Sequence, residues 1–144
     1  KDRGEFPITD PNMTRFNITI EEGVNLVLHA LQNAWGGEIF VPKIPSYKIT
    51  DLAKAISPSN KHKIVGIRPG EKIHEEMITS SDSFHTYDLG KHYVILPSVP
   101  VWNTEHYISE FNAMKVNDGF NYNSGQNEYF LTVDELRILV NNLV

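Results

Sequence analysis

The chain has 144 residues with a formal net charge of -5, and 40% of its residues are hydrophobic. This length and hydrophobic content suffice for one buried core, so we expect a single segment spanning 1-144. The acidic balance argues against a nucleic-acid partner, because proteins that bind a phosphate backbone usually present a basic face. Since the chain has no cysteine, it lacks disulfides and thiolate nucleophiles, which fits the reducing cytoplasm.

Membrane association is not expected either. No apolar run approaches the roughly 20 residues that a membrane-spanning helix needs, and the first residues are too polar for a signal peptide. We therefore expect no membrane partner and a cytoplasmic location. The first residue is Lys1 and not methionine, so the chain is expected to be part of a longer protein.

The N-terminal third predicts two short strands, a helix and a third strand. Apolar and polar residues alternate over Glu5–Thr9 and Arg15–Ile20, as in half-buried strands. A helix is predicted from Glu21 onward and is stopped by Gly36-Gly37. The apolar stripe of this helix consists of Val24, Val27, Leu28, Leu31 and Trp35. Glu38–Pro42 then predicts a buried strand closed by proline.

The middle of the chain predicts two helices on either side of a strand. Thr50 or Asp51 can cap the first helix, which Ser57-Pro58 ends. Lys63–Ile67 is apolar enough to predict a strand. The second helix is expected from about Lys72 to Ile78.

The C-terminal part alternates loops with one strand and two helices. Ser80–Ser83 predicts a loop and Tyr93–Leu96 a strand, and Thr104 can cap a helix. The apolar positions of that helix are Ile108, Phe111 and Met114. Thr132–Glu135 has capping-box spacing and predicts a final amphipathic helix. Its stripe is Val133, Leu136, Val140 and Leu143. The predicted class is mixed α/β.

The segment from Gly66 to Glu75 carries the strongest chemical signal. It places the fixed cation Arg68, a turn at Gly70 and the carboxylate of Glu71 directly after a strand. A guanidinium grips phosphate oxygens in a planar fork, and glycine lets the backbone bring the carboxylate to the same ligand. One interpretation is a site for a nucleotide sugar. The alternative is an ordinary strand-to-helix loop with a surface Arg–Glu pair.

Other candidate patterns are weaker. No G-x-G-x-x-G or P-loop occurs in the sequence, and the six histidines lack the spacing of zinc ligands, so no metal is expected. His29 is expected to pack or cap within the first helix. His74 follows the Arg68 turn closely enough to face the same ligand. Tyr87 and Lys91 match a Y-x-x-x-K pattern, but Gly90 argues against a helix, so the match is interpreted as accidental.

Together these segments resemble the C-terminal part of the inverting UDP-N-acetylglucosamine 4,6-dehydratases, which are extended short-chain dehydrogenase/reductases of polysaccharide biosynthesis. The resemblance covers nearly the whole chain. The segments that carry it are Met13–Phe16, Ile20–Val24, Gly37–Ser46, Ile67–Glu75, Lys115–Gly125 and Leu131–Leu136.

The resemblance implies roles for individual residues. In this family the arginine at the position of Arg68 contacts the UDP pyrophosphate, and the acid at the position of Glu71 contacts the uridine ribose. Arg15 matches a second arginine that contacts phosphate. The implied substrate-binding residues are therefore Arg15, Arg68 and Glu71, with His74 as an additional candidate.

The resemblance also implies an organisation. Residues of about 16-42 would complete a Rossmann sheet, and the remainder would form mainly a UDP-sugar-binding lobe. NADP and the catalytic residues would be held by upstream residues absent from this chain, which would contribute no catalytic or cofactor-binding residue. The parent enzyme would form a homo-oligomer and make a 4-keto-6-deoxy sugar nucleotide for surface polysaccharide or pseudaminic acid. The alternative is a stand-alone, non-catalytic nucleotide-sugar-binding module.

Overall fold

The computed structural model describes residues 4–142 and has the mixed α/β class expected from the sequence. The helices are α1 (Ile20–Asn33), α2 (Ile49–Ile56), α3 (Thr104–Glu110) and α4 (Val133–Asn141). The strands are β1 (Glu5–Ile8), β2 (Thr14–Phe16), β3 (Ile39–Pro42), β4 (Ser46–Lys48), β5 (Lys61–Ile64), β6 (Glu76–Ile78), β7 (Thr86–Asp88), β8 (His92–Ile95), β9 (Met114–Lys115) and β10 (Tyr122–Asn123). Among these described helices, none has the length and apolar character that a membrane crossing requires.

The described residues form two compact units. The first contains residues 4–17, 44–75 and 123–142, and the second contains residues 18–43 and 76–122. In the first unit β1 pairs in parallel with β5, and β2 pairs antiparallel with β4. Helices α2 and α4 pack together over a core of Ala55, Leu131 and Leu136. Burial of these apolar side chains is the main force that holds the two helices together.

The second unit is built on an antiparallel sheet with the strand order β3-β8-β7-β9. Val94, Leu96 and the fully buried Tyr107 form its core, against which Trp35 and Phe111 pack. Helix α1 belongs to this unit but buries none of its side chains fully. Its exposed apolar residues are Ile20, Val24, Val27, Leu28 and Leu31.

Helix α1 ends earlier than predicted, at Asn33 with Ala34 as its C-cap, so Trp35 lies outside the helix. Gly36 and Gly37 both have positive φ but follow this end without capping it. Two other predictions are confirmed. Thr132 and Glu135 form a reciprocal capping box at the start of α4. His29 packs, as expected, by stacking on His92 with ring centroids 4.6 Å apart. The last stripe residue, Leu143, lies outside the described residues.

The helix predicted over Lys72–Ile78 is wrong. Residues 71–75 are irregular and lead into the short strand β6. The apolar spacing of Ile73 and Met77 suits a helix, but His74 and Glu75 are bonded to distant residues instead. Tertiary contacts have overridden a local preference here.

Other boundaries differ from the predictions by a few residues. The strand expected over Arg15–Ile20 ends at Phe16, because Thr19 caps α1 and Ile20 is already helical. Helix α2 begins at Ile49, so neither proposed residue caps it, and its N-cap Lys48 makes no side-chain bond. The strand expected over Lys63–Ile67 lies two to three residues earlier, at Lys61–Ile64, where it pairs with β1.

The C-terminal predictions also need small corrections. Part of the loop expected over Ser80–Ser83 belongs to a 3-10 turn at Asp82–His85. Asn103, and not Thr104, caps α3 by accepting from the backbone of His106. Helix α3 ends at Glu110, which places Met114 on β9.

Candidate functional site

The turn that begins at Arg68 is closed by the carboxylate of Glu71. The Arg68 N–H donates to Glu71 Oε2 at 2.9 Å, and the Glu71 N–H donates to the Arg68 carbonyl at 3.1 Å. Gly70 lies inside this turn with φ +86°, a conformation that costs glycine little and other residues more. The guanidinium stays 3.8 Å from Glu71 Oε1, and its side chain is 74% exposed. Arg68 is therefore held near a carboxylate but is free to bind an anion.

Arg15 is held much more tightly. Its Nη1 donates to the carbonyls of Thr14 and Ile73, at 2.6 and 3.2 Å. Its Nη2 contacts Met13 Sδ at 3.2 Å, and its Nε forms an ion pair with Glu75 at 3.2 Å. These four contacts occupy most of the N–H donors of the guanidinium. Arg15 therefore clamps residues 73–75 to β2.

The charge of Arg15 also reaches the neighbouring strand. Tyr47 lies opposite Arg15 in the β2–β4 ladder. Burial raises the pKa of the Tyr47 hydroxyl above its usual range, and the nearby Arg15 charge partly opposes this rise. Tyr47 is consequently a neutral hydroxyl beside the guanidinium at working pH.

His74 is held by a chain of hydrogen bonds. Its Nδ1 lies 2.8 Å from the Thr14 hydroxyl, which lies 2.7 Å from the Ser124 hydroxyl. Ser124 Oγ also accepts from the Glu75 N–H at 2.9 Å. Thr14 and Ser124 are buried, whereas His74 is exposed. A Cβ on Gly125 would lie only 2.5 Å from His74 Nδ1, so the imidazole occupies space that glycine leaves open.

Three of the four sequence candidates lie in residues 66–75 and Arg15 lies on β2, but the four do not form one contact network. The Thr14 N–H donates to the Ile73 carbonyl at 2.9 Å, which lays residues 73–75 along β2. This brings Arg15 and His74 to the same stretch of backbone. Arg68 and Glu71 form a separate pair earlier in that segment, and within residues 4–142 no hydrogen bond or ion pair joins them to Arg15 or His74.

Sequence reasoning missed the residues that hold this segment in place. Asn123, Ser124 and Gly125 are residue types that favour turns, and Asn123 Oδ1 accepts from the Gly125 N–H at 3.0 Å. A turn signal, however, does not reveal that Ser124 bonds to a threonine 110 residues away. Glu75 was visible only as part of the motif and not as the partner of Arg15. No pattern in a single sequence marks such distant pairs.

Two other patterns considered in the sequence are the Y-x-x-x-K match and possible metal ligands. Tyr87 lies on β7 and Gly90 has φ +83°, so the Y-x-x-x-K match is not helical, as expected. Among residues 4–142, no group of three or more histidine or carboxylate side chains is arranged to hold a metal ion.

Comparison with known proteins shows the family of this chain. A family model described as polysaccharide biosynthesis protein matches residues 1–97. The chain belongs to the polysaccharide biosynthesis protein family. The matched residues include β2 and the whole of residues 66–75.

Individual relatives agree with this assignment. The chain is 48% identical, over 96% of its length, to the inverting UDP-N-acetylglucosamine 4,6-dehydratase of Campylobacter jejuni, and the match covers 42% of that protein. It is 35% identical, over 96% of its length, to a UDP-glucose 4-epimerase of Rickettsia felis, covering 41% of that relative. The chain thus spans about two-fifths of the length of these relatives.

A solved structure shows the same fold. The X-ray structure of Pen from Bacillus thuringiensis matches with a TM-score of 0.77 and 27% sequence identity. The match covers 99% of this chain and 42% of Pen. The mixed α/β fold described above therefore occurs within a longer, experimentally determined protein.

Proposed function

We propose that this chain supplies the UDP-sugar-binding part of a UDP-N-acetylglucosamine 4,6-dehydratase. The observation that carries the proposal is the Arg68–Gly70–Glu71 turn, in which an exposed guanidinium lies beside a carboxylate that its own backbone holds. A cation and an acceptor at this spacing suit a phosphate next to a ribose hydroxyl. The 48% identity to a dehydratase that acts on a UDP-sugar supports the same substrate class.

In this proposal Arg68 binds the pyrophosphate and Glu71 accepts from the ribose. Arg15 supports the site mainly through the loop that it clamps, because Glu75 and two carbonyls already occupy its guanidinium. Its positive charge still contributes to the local potential, since the Arg15 side chain remains 24% exposed. The product would be a 4-keto-6-deoxy sugar nucleotide for surface polysaccharide or pseudaminic acid.

The residues of this chain do not fit a dinucleotide cofactor. A pyrophosphate-binding turn of the Rossmann type needs G-x-G-x-x-G at the start of a helix, and the sequence contains none. We therefore assign NADP binding to residues outside this chain.

The proposal also accounts for α1. The apolar face of α1 is exposed, and Leu31 on this face is 78% exposed. Such a face normally packs on another element, and we propose that preceding segments of a longer protein, which would complete a Rossmann sheet, cover it. Leu31→Glu should then lower the free energy of unfolding of the longer protein by about 2 kcal/mol. The same substitution in residues 1–144 alone should have little effect in urea denaturation, and equal effects would contradict this packing.

The alternative is a stand-alone module that binds a nucleotide sugar without catalysis. Incubation of the intact natural protein with UDP-N-acetylglucosamine and NADP separates the two functions. A dehydratase converts C6 into a methyl group, whose proton doublet appears in the NMR spectrum of the product. Binding without this new methyl signal would favour the module, whereas a change of configuration at C4 alone would indicate an epimerase.

A further inference from the structure

The hydrogen bonds around His74 determine where its proton resides. We infer that Thr14 and Ser124 fix His74 as the tautomer protonated on Nε2, and that this N–H donates to an oxygen of the nucleotide diphosphate. The ligand contact rests on the proposed function, whereas the tautomer follows from the geometry alone. The sequence motifs assign no individual role to Thr14, Ser124 or Gly125.

The donor and acceptor in each of these hydrogen bonds can be assigned by counting the available protons. Ser124 Oγ accepts from the Glu75 N–H, which can only donate. If Ser124 then donates to Thr14, the Thr14 hydroxyl has its own proton left for His74 Nδ1. Each proton finds one acceptor in this arrangement, and Nδ1 carries none.

The opposite direction leaves a buried proton without a partner. If His74 Nδ1–H donated to Thr14, then Thr14 would donate to Ser124. Ser124 Oγ would accept twice, and within residues 4–142 its own proton would have no acceptor. Ser124 has 0% exposure, so water does not reach this hydroxyl. An unsatisfied buried donor is costly, and the first arrangement is therefore favoured.

The second ring nitrogen of His74, Nε2, is available to a ligand. In the described part of the chain Nε2 has no hydrogen-bond partner, and His74 as a residue is exposed. Gly125 leaves room for the ring, since any Cβ there would lie 2.5 to 2.7 Å from three ring atoms. An Nε2–H fixed in this way is a donor, so it suits an acceptor oxygen such as those of a diphosphate. Arg15, bonded to the carbonyl of Ile73, adds positive charge next to it.

Protein labelled with nitrogen-15 in its histidine rings allows a test of the tautomer that needs no ligand. Long-range proton–nitrogen NMR spectra distinguish the two tautomers, and His74→Gln identifies the His74 signals. In alkaline buffer, His74 of the intact protein should show the Nε2–H pattern. An Nδ1–H pattern would overturn the inference, whatever the protein binds.

A matched pair of threonines tests the positioning role. Thr14→Val should weaken UDP-N-acetylglucosamine binding about fivefold, the effect of one misplaced hydrogen bond, and should alter the His74 signals. Thr14→Ser keeps the hydroxyl and should restore both. Thr86 is equally buried and donates to the Asp82 carbonyl in the other unit, so Thr86→Val is the control that should change neither.

The outcomes separate the two claims. Equal losses of affinity in Thr14→Val and Thr86→Val would overturn the positioning role, because they would reflect stability alone. Failure of the parent protein to bind the UDP-sugar would overturn the proposed function and the ligand contact together. The tautomer would still be decided by the spectra in that case.

Discussion

The two arginines of the site differ in what holds them. Arg15 makes four contacts and its side chain is 24% exposed, whereas Arg68 has one long ion pair and a side chain that is 74% exposed. An exposed pair at 3.8 Å adds little to stability. A half-buried guanidinium that bonds to two carbonyls and a carboxylate adds more, because its removal breaks several charge-assisted hydrogen bonds at once. Arg15 is thus mainly structural and Arg68 mainly available to a ligand.

This difference gives a prediction about stability. Arg15→Ala should lower the free energy of unfolding by about 2 kcal/mol, as expected when charge-assisted hydrogen bonds are lost, and should loosen residues 73–75. Arg68→Ala should leave the free energy of unfolding nearly unchanged. Urea denaturation of both variants measures the difference, and amide hydrogen exchange at Ile73 and His74 reports the loop. Similar losses for the two arginines would contradict the separation of roles.

Single residues with a local partner could be predicted from the sequence. Thr132 and Glu135 are three residues apart, and this spacing alone makes a capping box possible. The Arg68–Glu71 pair is local in the same way. The partners of Arg15 and His74 could not be predicted, because Glu75 and Thr14 lie 60 residues away from them along the chain. Only the fold brings these residues together.

At the scale of elements, the segment between β5 and β6 shows why helix prediction failed. Helical residues must bond to carbonyls four residues earlier. Here the Ile73 carbonyl instead accepts from Thr14, and the Glu75 N–H donates to Ser124. These bonds to β2 and to the turn at residue 124 replace a helical ladder. Of the candidate ligand residues, only His74 lies in the stretch predicted as a helix, and the bonds that replace the helix hold its imidazole against Thr14.

A second feature at this scale is the contact of α1 with the sheet of its own unit. His29 of α1 stacks on His92 of β8, and its edge packs against Phe40 of β3, with ring centroids 5.5 Å apart. Burial lowers the pKa of His92 below 6.5, and the neighbouring His29 and Lys91 lower it further. Folding therefore favours the neutral form of His92.

The sign of the pH dependence follows from this lowered pKa. The unfolded chain binds the proton of His92 more readily than the folded chain does. Its contribution to stability is consequently complete above the unfolded pKa of 6.5 and is lost as the pH falls through the lower folded pKa. His92→Gln should reduce the loss of stability on acidification, and His29→Gln should reduce it in part. Urea midpoints between about pH 5 and pH 8 measure this, and unchanged slopes in both variants would contradict it.

At the scale of the whole molecule, the described chain consists of two units that the sequence order interleaves. The order of helix and strand patterns predicted the mixed α/β class, whereas length and composition predicted one segment and do not reveal this division into units. The reason is physical, because β2 and β4 pair across the intervening residues 18–43 that fold into the other unit. All four candidate ligand residues belong to the first unit, which makes that unit the centre of the proposed nucleotide-sugar site.

The most direct measurement is a calorimetric titration of the intact protein with UDP-N-acetylglucosamine, with and without Arg68. Arg68→Ala should weaken binding at least about tenfold, which corresponds to roughly 1.4 kcal/mol, and should leave NADP affinity unchanged. Arg137 is the matched control, since it also pairs with a carboxylate three residues away in the same unit. Arg137→Ala should bind like the parent. Equal affinity of the parent and Arg68→Ala for the UDP-sugar would contradict the assignment of this turn as the binding site.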